Sequence, residues 1–128
     1  MRDTPEQAFA SYIKAFETLD PEAVLRFYHA PSIFIAPQGV FSVADANEAR
    51  VLLARFMSQM KSQSYKRTEV VGLTVSELSP ILVCCAGEFL RFNAEEDVIS
   101  RVGFTYTLRY EENWKIVVAA LYEPRPRG

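Results

Sequence analysis

The chain has 128 residues and a formal net charge of −2, with 49% hydrophobic and 23% charged residues. That length suits one domain with its own core, and the charge balance lacks the clustered basic face of a nucleic-acid binder. No apolar run approaches the roughly 20 residues of a membrane span, and the opening MRDTPEQAFA has no signal-peptide core, so a cytoplasmic protein is expected.

The first element announces itself at Thr4-Pro5-Glu6-Gln7. Thr4 can cap a helix, Pro5 suits its first turn, and Gln7 completes a capping box. Phe9, Tyr12, Ile13 and Phe16 then recur at helical spacing and form one apolar face. Asp20-Pro21-Glu22-Ala23 opens a second, short helix by the same logic, carrying Val24, Leu25 and Tyr28. SIFIAP reads as a short apolar strand stopped by Pro37. Asp45 and Glu48 open a third helix that runs to about Ser62, with Leu52, Leu53, Phe56, Met57 and Met60 facing inward.

After Ser64 the pattern turns β-rich. YKRTEVVGLTVSEL, ILVCCAGEFLRF, VISRVGFTYTLRY and WKIVVAALYE are separated by breaks at Ser79-Pro80, Asn93 to Asp97 and Glu111-Glu112-Asn113, which predicts an antiparallel meander. The tail PRPRG has no apolar anchor and is expected to fray. The fold class is therefore α+β, a single domain in which a curved sheet closes into a cone with three helices on its concave face.

Pairing Asn93 with Val98 sets a register in which Phe89 faces Val102, Gly87 faces Phe104, Cys85 faces Tyr106 and Val83 faces Leu108. Glu88, Arg101, Thr105, Thr107 and Arg109 fall on the opposite face, and a one-residue slip would mix the two sets. A three-residue loop with Asn113 left-handed places Trp114, Ile116, Val118, Ala120 and Tyr122 inside. Gly87 leaves room beside it or marks a bend.

This order of elements resembles the nuclear transport factor 2-like superfamily, and within it the SnoaL-like and ketosteroid-isomerase-like members. The likeness covers almost the whole chain. It rests on Ala10-x-Tyr12-Ile13, Asp20-x-Glu22-Ala23, Tyr28, Pro37-x-Gly39 and the late Trp114-Lys115-Ile116-Val117. Such motifs identify the fold better than the reaction, because this fold hosts many activities. The resemblance implies that Tyr12 sits where the isomerases' helix tyrosine donates to a developing oxyanion. It implies that Tyr106 lies near their second, oxyanion-assisting acid. It places Ala36 where their proton-shuttling carboxylate stands, and alanine cannot be a base.

The candidate ligand-binding residues are Tyr12, Phe16, Phe34, Phe56, Met60, Cys85, Phe104, Tyr106 and Val118. Tyr12 and Tyr106 are pocket donors or core aromatics with partnered hydroxyls. His29, expected at a helix end, and Glu88, expected to pair with Arg101 or Arg109 outside the cone, are the further catalytic candidates; a slipped register would turn Glu88 inward. Asp45, Glu48, Glu95, Glu96 and Asp97 read as caps and turn charges, and Met57 as core. Cys84 and Cys85 are adjacent, hence on opposite faces of a strand, and with one histidine the chain lacks metal-ligand spacing. Buried thiols are expected, with no metal or cofactor.

Three readings follow. The first is a binder of a small apolar molecule, the second a SnoaL-like isomerase, lyase or hydrolase, and the third a ligand-free dimerisation module. The last strand is apolar on both parities, which predicts a covered outer face. Leu82, Cys84, Thr105, Thr107, Val117, Ala119 and Leu121 would then pack against a second copy in a homodimer, an arrangement frequent in the superfamily that the chain resembles.

Overall fold

A computed structural model describes residues 2–124. The Thr4 hydroxyl accepts from the Gln7 amide at 3.1 Å and the Gln7 side chain accepts from the Thr4 amide at 2.9 Å, the reciprocal box that starts helix α1, Pro5–Glu17. Asp20 caps the short helix α2, Pro21–Leu25, and Asp45 caps α3, Ala46–Ser62. Arg50 of α3 pairs with Glu22 of α2, clamping the two together. Strands β1 (Tyr28–Ala36), β2 (Gly39–Val43), β3 (Tyr65–Ser79), β4 (Leu82–Asn93), β5 (Val98–Glu111) and β6 (Asn113–Tyr122) form one sheet in the order β2-β1-β6-β5-β4-β3. All neighbours are antiparallel except β1 and β6, so the sheet is mixed.

The α+β cone with three helices on one face is as the sequence predicts, and the β4–β5 register holds from Val83↔Leu108 to Phe89↔Val102. Below that it differs: Phe92, not Asn93, faces Val98, with Ile99 the extra residue before Arg91↔Ser100. Asn93 instead closes the turn, its side-chain oxygen accepting from the Glu95 and Asp97 amides.

Three further expectations are corrected. Tyr28 does not belong to the second helix; the chain leaves α2 after Leu25, and Tyr28 opens β1 opposite Ile116 of β6. The strand around SIFIAP is one arm of a hairpin: Pro37-Gln38 turns the chain into β2, which the sequence reading left unassigned. In the last turn Glu112, not Asn113, adopts the left-handed conformation (φ 69°), with Glu111 paired to Asn113.

The largest correction concerns β6. Leu108 pairs with Ile116 but Thr107 pairs with Val118, so Val117 is an inserted bulge residue. The insertion reverses the side-chain alternation. Trp114 and Ile116 face inward as expected, but beyond the bulge Ala119 (1% exposed) and Leu121 turn inward while Val118, Ala120 and Tyr122 turn outward. Leu121 and Ala119 thus leave the predicted outer face, and Val118 leaves the predicted pocket. The Tyr122 ring covers Gly103, where a Cβ would approach it to 2.3 Å.

The narrow end of the cone is solid. Phe9 of α1, Phe89 and Phe104 stack with centroid separations of 4.2–6.2 Å, and Tyr106 meets all three edge-on. Gly87 makes this possible, since a Cβ there would stand 2.9 Å from the Val71 carbonyl oxygen and 3.1 Å from the Phe104 ring. It faces a β3 bulge between Val71 and Thr74, where Gly72 has φ 67°. The room expected beside Gly87 is taken up by the Phe104 ring, and the irregularity lies in the neighbouring strand β3 while β4 stays regularly paired through Gly87. Among the described residues no helix is long and apolar enough to cross a membrane. The expectation for the tail falls largely on residues 125–128, outside the described residues.

Candidate functional site

Above the aromatic plug the cone opens into a cavity of about 340 Å³. Helix α1 contributes Tyr12, Ile13 and Phe16; α3 contributes Leu52, Leu53 and Phe56, with Arg55 and Gln59 at its exposed edge. The β1–β2 hairpin adds Tyr28, Phe34, Ala36, Gln38 and Phe41, and β4, β5 and β6 add Phe89, Arg91, Tyr106 and Leu121. The lining is mainly apolar with a few convergent polar groups, and the volume lies in the range of ligand sites.

Three phenols meet at its inner end. The Tyr12 hydroxyl lies 2.6 Å from that of Tyr28 and 3.3 Å from that of Tyr106. All three side chains are buried. Burial, chiefly, pushes each phenol well above its ordinary range, so all remain neutral donors. The hydroxyls of Tyr28 and Tyr106 also hydrogen-bond, so the three phenols close a cluster in which each proton has an acceptor within reach.

The second polar group is Arg91, which the sequence reading passed over. It is 8% exposed, and its guanidinium carbon lies 5.3 Å from the Phe56 ring centroid and 5.7 Å from that of Phe89. Its Nε has no hydrogen-bond partner, and no carboxylate among the described residues pairs with it. Burial lowers its pKa from the ordinary guanidinium range, but an arginine remains charged at neutral pH.

Of the predicted ligand residues, Tyr12, Phe16, Phe34, Phe56 and Tyr106 line the cavity. Phe104 and Cys85 are fully buried, and Met60 is 4% exposed. All three belong to the core, Cys85 and Phe104 on the inner rows of the sheet and Met60 on the inward face of α3. Burial pushes the Cys85 thiol up to about 11. His29 lies on β1, not at a helix end. Its Nδ1 is 2.9 Å from the Pro31 carbonyl oxygen and its Nε2 is 3.6 Å from Glu111, away from the cavity. Glu88 is on the outer face, accepting two hydrogen bonds from Arg101 at 2.8 and 3.0 Å, as expected. Ala36, at the position that the resemblance gives to the isomerase base, lines the cavity. No Asp, Glu or His is among the described lining residues.

The signal for Arg91 was in the register itself. Val83, Cys85, Gly87 and Phe89 alternate inward, and two residues further the same alternation puts Arg91 inside. Tyr28 carries part of the resemblance, and its closeness to the Asp20-Pro21-Glu22-Ala23 helix start hid its place on β1. Leu121 was hidden by the β6 bulge.

A mixed sheet curved around α1 and α3, with a cavity at its wide end, defines an NTF2-like protein. The chain belongs to the family described as NTF2-like protein (DUF6841), whose model matches residues 3–124. Among curated proteins no sequence matches significantly. Solved structures with the same fold include a proposed calcium/calmodulin-dependent protein kinase type II association domain from Thiobacillus denitrificans, 13% identical, covering 98% of each chain with a TM-score of 0.75. A protein of unknown function with a cystatin-like fold from Nostoc punctiforme is 12% identical over 97% of this chain and 96% of that one, with a TM-score of 0.74. A proposed ketosteroid isomerase from Parabacteroides distasonis is 15% identical over 97% of this chain and 90% of that one, with a TM-score of 0.70. Likeness at these identities carries the fold and no activity.

Proposed function

We propose that the cone binds a small apolar molecule, burying its body against Phe16, Phe34, Phe56 and Leu121 and hydrogen-bonding its polar head at the tyrosine cluster. The observation that carries this reading is the cavity of about 340 Å³ with three buried, neutral phenols at its inner end. A neutral buried donor favours an acceptor such as a carbonyl oxygen. The same cluster can polarise a carbonyl, but burial keeps the phenols neutral. Removal of a carbon-bound proton needs a base within reach, and the described lining offers no carboxylate or imidazole. Binding is therefore favoured over a SnoaL-like isomerase, lyase or hydrolase, and an open cavity favours it over a ligand-free module.

Calorimetric titration with apolar ketones and acids tests the reading, with Ala36→Trp as the blocked control. Binding to the wild-type protein and its loss in Ala36→Trp supports it. Equal binding to both moves the site out of the cone, and turnover of a bound ketone replaces the binder with an enzyme.

We further propose that the outer sheet face pairs with a second copy of the chain. Two rows run across this face: Ile33, Val118, Thr107 and Cys84, then Ile35, Ala120, Thr105 and Ala86. Neither row contains a charge, and Ile33 and Ile35 are 39% and 38% exposed. Sedimentation equilibrium should give a dimer that Thr107→Arg dissociates by burying an unpaired charge. A wild-type monomer at micromolar concentration overturns it.

A further inference from the structure

We propose that the polar head of the ligand is a carboxylate and that Arg91 is the residue that holds it. This rests on the cone being a binding site and names what the site selects. A buried guanidinium is a costly thing to place in an apolar wall, and buried charges are normally paired. Arg91 is 8% exposed, lines the cavity and has an unpartnered Nε. The groups that surround it are the rings of Phe56 and Phe89 and the neutral phenols of Tyr12, Tyr65 and Tyr106. None of these supplies a full negative charge. The counter-charge that the protein omits is the one a ligand would bring.

The rest of the lining agrees. Its charged side chains are Arg91 and Arg55, both cationic, and Arg55 stands at the exposed edge. One buried cation matches a monoanion. A phosphate carries more charge and a larger hydration shell, and would need more than this single guanidinium. The planar fork of an arginine fits the two oxygens of a carboxylate. The hydroxyls of Tyr12 and Tyr106, close to Arg91 and on the cavity wall, can redirect a proton to the ligand and so offer a further donor. Phe34, Leu52 and Phe56 then surround an apolar body. The ligand class is an apolar monocarboxylic acid of about the bulk that fills 340 Å³.

The test is isothermal titration of the wild-type protein with octanoate, cinnamate and naphthoate, each beside its primary amide, and with octyl phosphate. At least one acid should bind at least about tenfold tighter than its amide, the scale of a hydrogen bond to a charged group. Arg91→Met should erase that preference while the amide still binds. Arg91→Lys should retain part of it. These comparisons separate the two levels of the reading. If amides bind as tightly as acids, the carboxylate proposal falls and the apolar binding site stands. If octyl phosphate binds tightest, the site takes a different anion and the proposal falls. If no acid or amide binds a protein that melts cooperatively, both the site and the proposal fall. The acid-against-amide comparison needs only the wild-type chain, so a misfolded Arg91→Met leaves it decisive.

Discussion

The Tyr12 hydroxyl lies 2.6 Å from that of Tyr28 and 3.3 Å from that of Tyr106, so one phenol from α1 ties together β1 and β5. Removing it breaks both contacts and leaves the Tyr28 and Tyr106 hydroxyls with only each other. Tyr12→Phe should therefore cost about 1–3 kcal/mol. Tyr106→Phe leaves the short contact between Tyr12 and Tyr28 in place and should cost less. Urea unfolding of both single variants and the double variant checks the order. Equal costs would mean that the cluster is held by the rings rather than by the hydroxyls.

Two phenylalanines that the sequence treats alike occupy different places. Phe104 is fully buried and stacks on Phe89 at 4.2 Å. Phe56 faces the cavity and is only partly buried. Phe104→Ala should cost about 3–5 kcal/mol, the usual loss for a buried ring. Phe56→Ala removes contacts on one side only and should cost less than half as much. A larger loss at Phe56 than at Phe104 would show that the cavity collapses onto Phe56 in solution.

How far the sequence could be read depended on whether alternation carried information. In β5, large apolar residues alternate with Gly103, Thr105 and Thr107 over Val102–Leu108, and over Val83–Phe89 in β4 the single charge of Glu88 marks the outer parity, so the register came out correctly. In β6 the run Ile116–Leu121 is apolar at every position. Both parities look alike, so the bulge at Val117 left no trace, and Leu121 and Ala119 were assigned to the wrong face. The β2 strand is five residues with a single buried side chain, Val43, too little for a periodic signal. Arg91 was missed for a different reason. The inward row was followed only while it stayed apolar, and the one charged residue on it is the chemically informative one.

Buried acids that resist ionisation make the fold sensitive to alkali. The Cys85 thiol rises from 9.0 to about 11, chiefly by burial, and Tyr12, Tyr28 and Tyr106 are pushed well above 10.0. In each case the unfolded chain loses its proton first, so stability is intact below the unfolded value and falls as pH rises beyond it. The decline should start near pH 9 with Cys85, amounting to about 2–3 kcal/mol by pH 11. It should steepen above about pH 10 as the phenols join. Cys85→Ala should remove the first phase, and Tyr12→Phe should flatten the second. Stability that stays level from pH 8 to 11 would mean that these groups are solvated.

Arg91 should act in the opposite sense to most buried side chains, because its charge has no counterpart in the protein. Replacing buried ionic groups by apolar ones of similar volume is often neutral or stabilising, by about 1–4 kcal/mol. Methionine keeps the unbranched apolar stem that packs in the wall and removes the desolvated charge, together with the guanidinium that sits over Phe56 and Phe89. Arg91→Met should therefore raise the unfolding free energy by at least about 1 kcal/mol, whereas Arg91→Lys should not, since it keeps a charge in the same place. This is the pattern expected where a residue is kept at some cost to stability for what it binds. Chemical unfolding of the three proteins without added acid decides it. If Arg91→Met is instead less stable than the wild type, the two rings and the neighbouring phenols satisfy the guanidinium by themselves, and Arg91 is part of the packing.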